Sequence, residues 1–229
     1  MTTVGILQAG HAPEEVVAQR GDYDHFFRAF LGGRGLEFRT WNVVDMDFPD
    51  GPEAADAWLV TGSRHGAYED HPFIPPLEDF IRDVRDAGRP MVGVCFGHQI
   101  IAQALGGRVE KWQGGWAIGR QDYRIEGIGD LPLYGWHQDQ VTELPEDARV
   151  VGETSACRVA ALAYGDRIWT IQPHPEFDAR MIRDLADLRG NAMGARPGQV
   201  EEARASADIA VDPGPVADLM AKVLEGRGA

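Results

Sequence analysis

The chain has 229 residues, 44% apolar and 25% charged, with 28 glycines and 14 prolines, a composition of globular rather than disordered, fibrous or disulfide-stapled proteins. A chain this long buries roughly 70% of the surface its unfolded form exposes, which leaves room for one large α/β domain that needs neither metal nor cystine to hold it. The formal charge of −14 argues against a nucleic-acid backbone or an anionic membrane as the main partner, and no G-x-x-x-x-G-K-[ST] loop is present for ATP phosphates.

The two cysteines, Cys95 and Cys157, in a chain without a charged-then-apolar leader, predict a reducing, cytoplasmic setting. Apolar runs such as PMVGVCF fall short of the ~20 residues that a membrane-spanning helix requires.

In chain order, residues 3–10 read as a buried first strand and 22–32 as a helix stopped by Gly32-Gly33. Residues 36–43 form a second strand candidate, followed by a polar, proline-containing connection near Phe48 to Pro52. Residues 57–63 read as another buried strand. The loop 63–73 leads through prolines into an amphipathic helix over 76–88, stopped by Gly88. A strand over 89–94 then runs into Cys95, and a helix over 97–107 ends at a glycine pair. This order predicts a three-layer α/β/α domain with a mostly parallel central sheet.

The middle of the chain changes character. Short strand-like runs at 120–125, 131–144, 148–153, 159–164 and 167–173 are broken by Gly, Pro and acidic turns, predicting a small antiparallel extension. Helical periodicity returns over 178–190 and 216–226. The polar, Ala- and Glu-rich stretch 191–208 reads as a surface excursion, so a single domain is expected over 1–229 with extra C-terminal helices at about 178–229.

Gly93-Val94-Cys95-Phe96-Gly97 lies between an apolar strand and a helix. This is a G-x-nucleophile-x-G elbow with Cys in the Ser position, and a sharp turn there would bring backbone too close for side chains at 93 and 97. The helix after the elbow offers its N-terminal positive end to a thiolate, and the Phe96 N–H is the natural oxyanion donor. The alternative is that Cys95 is an ordinary buried core cysteine.

Downstream, Gln172-Pro173-His174-Pro175-Glu176-Phe177 comes directly after a strand. In an extended segment His174 and Glu176 would face the same side, and Pro175 stiffens the link. A carboxylate beside an imidazole fixes its tautomer and stabilises the imidazolium formed when it takes a thiol proton. Cys95, His98, His137 and His174 can also be sketched as metal ligands, but zinc sites usually show paired Cys or His at tight spacing, so no metal is expected. His11, His25, His65 and His71 form no constellation and read as surface or structural residues.

With Gly93-Val-Cys-Phe-Gly-His-Gln99 running into a helix, and Gln-Pro-His174-Pro-Glu176 downstream, the sequence resembles the class I glutamine amidotransferase family from about Thr3 to Phe177. The resemblance implies a flavodoxin-like fold and no cofactor. It also implies Cys95 as nucleophile, His174 as acid/base and Glu176 as its orienter, acting on a γ-glutamyl amide through a γ-glutamyl thioester. Thr61-Gly62-Ser63 stands where many members carry Gly-Gly-Pro, so Gly62 is expected to give the second oxyanion N–H beside that of Phe96. Ser63, Gln99, His137 and Gln138 are expected to contact substrate, His137 not serving as the base.

Finer similarity in FGHQIIAQALGG, GGWAIG, HQDQVTELP and IQPHPEF looks like the stand-alone branch related to the amidotransferase half of guanosine monophosphate synthetase, which includes γ-glutamyl peptidases. The leading expectation is glutamine hydrolysis releasing ammonia to a separate synthetase subunit, since no S-G-G-x-D-S pyrophosphatase signature is present. The alternatives are a stand-alone γ-glutamyl peptidase and a catalytically silent regulatory relative.

Overall fold

Apolar side chains along four short strands set the architecture, because each strand sends successive residues to opposite faces and both faces must be covered. The computed structural model describes residues 1–228. The N-terminal half runs β1 (Thr2–Leu7), α1 (Glu14–Arg20), α2 (Tyr23–Phe30), β2 (Leu36–Trp41), β3 (Ala57–Val60), α3 (Ile74–Asp86), β4 (Met91–Val94) and α4 (Phe96–Ala104). Then come β5 (Arg108–Lys111), β6 (Ala117–Ile125), β7 (Gly129–His137), β8 (Asp139–Glu143), β9 (Ala148–Thr154), β10 (Cys157–Tyr164) and β11 (Ile168–Ile171). The chain closes with α5 (Ala179–Arg189), α6 (Gln199–Ser206) and α7 (Gly214–Leu224).

The main sheet has the order β2-β1-β3-β4-β11-β10-β9-β6-β7. From β2 to β11 neighbours run parallel, and from β11 to β7 they run antiparallel. Ala57 and Leu59 of β3 join one core with Phe27 of α2 and Val216 and Met220 of α7, while Trp58 and Val60 join the opposite core with Leu77 and Ile81 of α3 and Ile100 of α4. Helices thus cover both faces, as the strand–helix order predicts. Gly5 of β1 is glycine for a local reason: a Cβ there would lie 2.2 Å from the Trp58 ring.

Three segments differ from the sequence expectation. The run 131–144 breaks at Gln138 into β7 and β8, and β8 leaves the main sheet to pair antiparallel with β5. Helix α1 leaves no periodic trace because Val16 is its one buried residue. Within the stretch read as a surface excursion, α6 packs Ala203 onto β6, where a Cβ on Gly119 would come within 2.7 Å of the Ala203 Cα. Small side chains carry that contact, so no apolar stripe announces it. Among the described residues no helix is long and apolar enough to cross a membrane.

The parallel strands bring distant parts of the chain together, because loops at their C-terminal ends meet in one crevice, the usual ligand position in open α/β sheets. Cys95 comes directly after β4, Gly62 after β3, and His174 after β11.

Candidate active site

Cys95 sits at φ 54°, ψ −105°, one of two non-glycine residues with positive φ among the described residues. A side chain in such a region costs on the order of 1–3 kcal/mol and persists only where the surroundings enforce it. The enforcement is visible: the Cys95 N–H donates to Ile171 O at 2.9 Å and its carbonyl accepts from Gln99 N–H at 3.1 Å, fixing the turn between β4 and α4 against β11. The glycines expected at 93 and 97 are required by space. A Cβ on Gly93 would meet Gly97 O at 2.6 Å, and one on Gly97 would meet Val60 O at 2.2 Å.

Phe96 opens α4, so its N–H has no partner within the helix. Its side chain turns away into the core against Phe73, ring centroids 6.1 Å apart. Gly62 lies against both prospective partners of the chemistry: a Cβ there would be 2.8 Å from His174 Cε1 and 3.8 Å from Cys95 Cβ. Among the described residues neither the Phe96 nor the Gly62 N–H donates to a protein acceptor. The departure at 61–63 is locally satisfied, since Thr61 Oγ1 donates to Gly62 O at 2.9 Å and accepts from Ala9 N–H at 3.0 Å.

His174 Nδ1 donates to Glu176 Oε1 at 2.7 Å, with both side chains buried. The pair meets as expected, but by a different device. Residues 174–177 form a turn closed by Phe177 N–H to His174 O at 3.3 Å, rather than an extended segment. Two residues not singled out in the sequence hold it. The His174 N–H donates to Tyr134 O of β7 at 2.8 Å, an isolated antiparallel bridge. The Phe177 ring stacks on the imidazole with centroids 3.9 Å apart and planes 4° from parallel. Burial alone would lower the His174 pKa, but the negative charges available at Cys95 and Glu176 reverse this and lift it to about 10. The imidazole is therefore held as a cation between two acidic groups.

The remaining histidines separate by their partners. His98 is buried, its Nε2 donating to Val159 O at 3.1 Å and its Nδ1 accepting from Thr170 Oγ1 at 2.8 Å. With both nitrogens committed and burial pushing its pKa down to about 3, His98 is a neutral structural residue that cannot ligate a metal. His137 donates from Nδ1 to Asp139 O at 3.2 Å, and its buried Nε2 is without a partner among the described residues. Burial lowers its pKa to about 4, with the nearby His174 charge acting in the same direction, so it presents a neutral lone pair.

A cavity of about 420 Å³ opens over Cys95 and His174, and Ser63, Gln99, His137 and Gln138 all line it. The Gln99 amide is already engaged, donating to Asp139 O at 2.8 Å and Gln172 Oε1 at 3.1 Å, so Gln99 also holds the loop after β7. Gln138 donates to Trp112 O at 3.1 Å, and Ser63 Oγ accepts from His65 N–H at 3.2 Å. Trp116, Trp136, Leu185, Leu188 and Met193 form an apolar wall. Part of that wall belongs to α5 and the turn after it, which the catalytic motifs give no reason to bring here.

The family model described as glutamine amidotransferase class-I matches residues 50–184, more than half of the chain. Gamma-glutamyl peptidase 4 of Arabidopsis thaliana is 32% identical, over 73% of this chain and 72% of its own length. A GMP synthase [glutamine-hydrolyzing] of Ralstonia pickettii is 34% identical over 54% of this chain, but only 25% of its own length. The crystal structure of a glutamine amido transferase from Methylobacillus flagellatus matches with a TM-score of 0.73 at 20% identity, covering 99% of this chain and 92% of that one, a likeness of fold. The chain belongs to the class I glutamine amidotransferase family.

Proposed function

We propose that the chain hydrolyses γ-glutamyl amides through a γ-glutamyl thioester on Cys95. The observation that carries this reading is the strained Cys95 turn beside the buried His174–Glu176 pair at the floor of one cavity. The Cys95 thiolate attacks the γ-carbonyl, and the oxygen that gains charge is received by the Phe96 and Gly62 N–H groups. The His174 imidazolium gives its proton to the leaving amine as the C–N bond breaks. Neutral His174 then takes a proton from water, whose oxygen attacks the thioester; glutamate leaves, and the proton stays on His174 beside the regenerated thiolate. Glu176 keeps Nδ1 of His174 protonated and oriented throughout. The His137 Nε2 lone pair suits an ammonium N–H of the substrate's α-amino end.

The cavity bears on the choice between substrates. Its volume of about 420 Å³ falls within the range that holds drug-sized ligands, roughly 300–1,000 Å³, and Trp116, Trp136, Leu185, Leu188 and Met193 give it apolar lining beside charged residues such as Arg64, Lys111 and Arg189. We therefore read the preferred substrate as a γ-glutamyl amide with a sizeable apolar group on the leaving side, in keeping with the similarity to a γ-glutamyl peptidase. A second reading, glutamine hydrolysis with ammonia passed to a separate synthetase, draws on the similarity to GMP synthase, of which this chain covers only 25%.

Glutamate release should be measured from glutamine and from a γ-glutamyl dipeptide with a bulky apolar C-terminal residue. Higher kcat/KM for the dipeptide supports the first reading, while preference for glutamine with turnover rising on addition of a synthetase supports the second. No glutamate from either, with Cys95 unlabelled by a glutamine-mimicking electrophile, would sink both.

A further inference from the structure

The loop joining β3 to α3 brings together side chains that look unrelated in the sequence. His65 and His71, expected to form no constellation, offer with Glu69 three ligand atoms, all within 4.8 Å of one another. Glu69 Oε2 lies 2.8 Å from His71 Nε2 and 3.7 Å from His65 Nδ1. The two imidazole rings are 4.0 Å apart and inclined at 59°. Donors on a tetrahedral zinc ion, each about 2.1 Å from the metal, stand roughly 3.4 Å from one another, and the two carboxylate distances bracket that value.

The loop's own bonds explain the convergence. Glu69 N–H donates to Gly66 O and His71 N–H to Glu69 O, each at 3.1 Å, and Ile74 N–H to His71 O at 3.1 Å ties the turn to the start of α3. Phe73, buried in the core, packs against both imidazoles at 5.8 and 5.9 Å, limiting ring rotation as the apolar surroundings of metal ligands do. Glu69 is exposed enough for an ion to enter from solvent, its side chain being 44% accessible.

We propose that His65, Glu69 and His71 form a binding site for a divalent metal of zinc type on the loop at the mouth of the catalytic cavity. Two neutral imidazoles and one carboxylate suit zinc, and three protein ligands leave its fourth position to water. His65 and Glu69 line the cavity beside Ser63 and Arg64, whereas His71 lies outside it. The ion therefore braces the wall of the substrate cavity without entering the thiol chemistry. It joins residues near both ends of the loop, so its binding restrains the segment between them.

Zinc chloride should be titrated by chelator competition into the Cys95→Ser chain, which removes the thiol that would compete for the ion. One equivalent is expected to bind, with affinity falling by more than roughly 10–100-fold, the usual cost of losing a mere supporting group, in both His71→Ala and Glu69→Gln made on that background. Zinc should slow amide hydrogen exchange over residues 64–73 in the parent and leave it unchanged in His71→Ala. Thermal unfolding without zinc, expected to be alike in all three chains, separates loss of a ligand from loss of fold. No binding by the folded parent, or equal affinity in parent and variants, overturns the site; binding without slowed exchange overturns the brace.

Discussion

Glu176 Oε1 accepts the Nδ1–H of His174 at 2.7 Å inside a turn that excludes solvent from both side chains. A neutral amide at position 176 would keep an acceptor but remove a charge. Glu176→Gln is accordingly expected to fold and to lower kcat by roughly 10²–10⁴, less than removal of the nucleophile, in line with the behaviour of orienting carboxylates in other triads. Steady-state kinetics beside Cys95→Ala checks this; equal loss in both variants with Cys95 still reactive toward an electrophile would contradict the role given to Glu176.

The lifted pKa of His174 makes a second prediction. In wild type the His174 ring should titrate at about 10, and kcat/KM should fall as pH rises through that value, because the amine leaving group loses its proton donor. Cys95→Ser weakens one of the two interactions that raise the His174 value, and the titration read by NMR should move downward. For stability the sign is fixed by the raised value. The contribution of His174 is fully present below the unfolded histidine value of 6.5 and is lost as pH rises through about 10. Relative to His174→Gln, wild type should thus lose stability across that window.

His98 and His137 act in the opposite sense. Burial holds them at about 3 and about 4 in the folded chain, so the unfolded state takes up more protons between those values and 6.5. Their contribution is present above pH 6.5 and is lost as pH falls, at about 1.4 kcal/mol per pH unit for each group while it lasts. Denaturant unfolding at a series of pH values should show a shallower acid limb in His98→Gln than in wild type.

Two glycines near Cys95 should respond differently to alanine. At Gly97 the added Cβ would press on the Val60 carbonyl at 2.2 Å, a backbone atom of a central strand, and loss of stability is expected. At Gly62 it would meet the His174 ring at 2.8 Å, displacing the imidazole at the floor of the cavity rather than the backbone of the sheet. Gly62→Ala is expected to fold while losing roughly 10²-fold in kcat, the scale of an ångström-sized misplacement. Melting temperatures and kcat measured on both variants check the contrast.

How much of the fold and site is legible in the sequence depends on the range of the forces involved. The parallel strands can be read because burial on both faces leaves apolar runs such as Trp58–Val60, and the Cys95 elbow because steric demands impose glycine at fixed offsets. His174 and Glu176 are close enough in sequence to be paired, although a turn rather than strand alternation joins them. Tyr134 and Phe177 give weaker signals: a backbone carbonyl carries no residue preference, and a phenylalanine after the motif reads equally as core. The apolar cavity wall from α5 depends on where a helix docks, and the His65–Glu69–His71 cluster on how one loop folds back, neither of which leaves a periodic trace.

The most direct test of the mechanism is acid quenching of the chain during turnover of a γ-glutamyl substrate, then mass spectrometry of the Cys95 peptide. The account predicts a γ-glutamyl adduct on Cys95 during wild-type turnover that hydroxylamine removes, and no such adduct when His174 is replaced by alanine, because the leaving amine then lacks its proton donor. Glutamate release at undiminished rate by Cys95→Ala, or wild-type turnover without any adduct on Cys95, would contradict it.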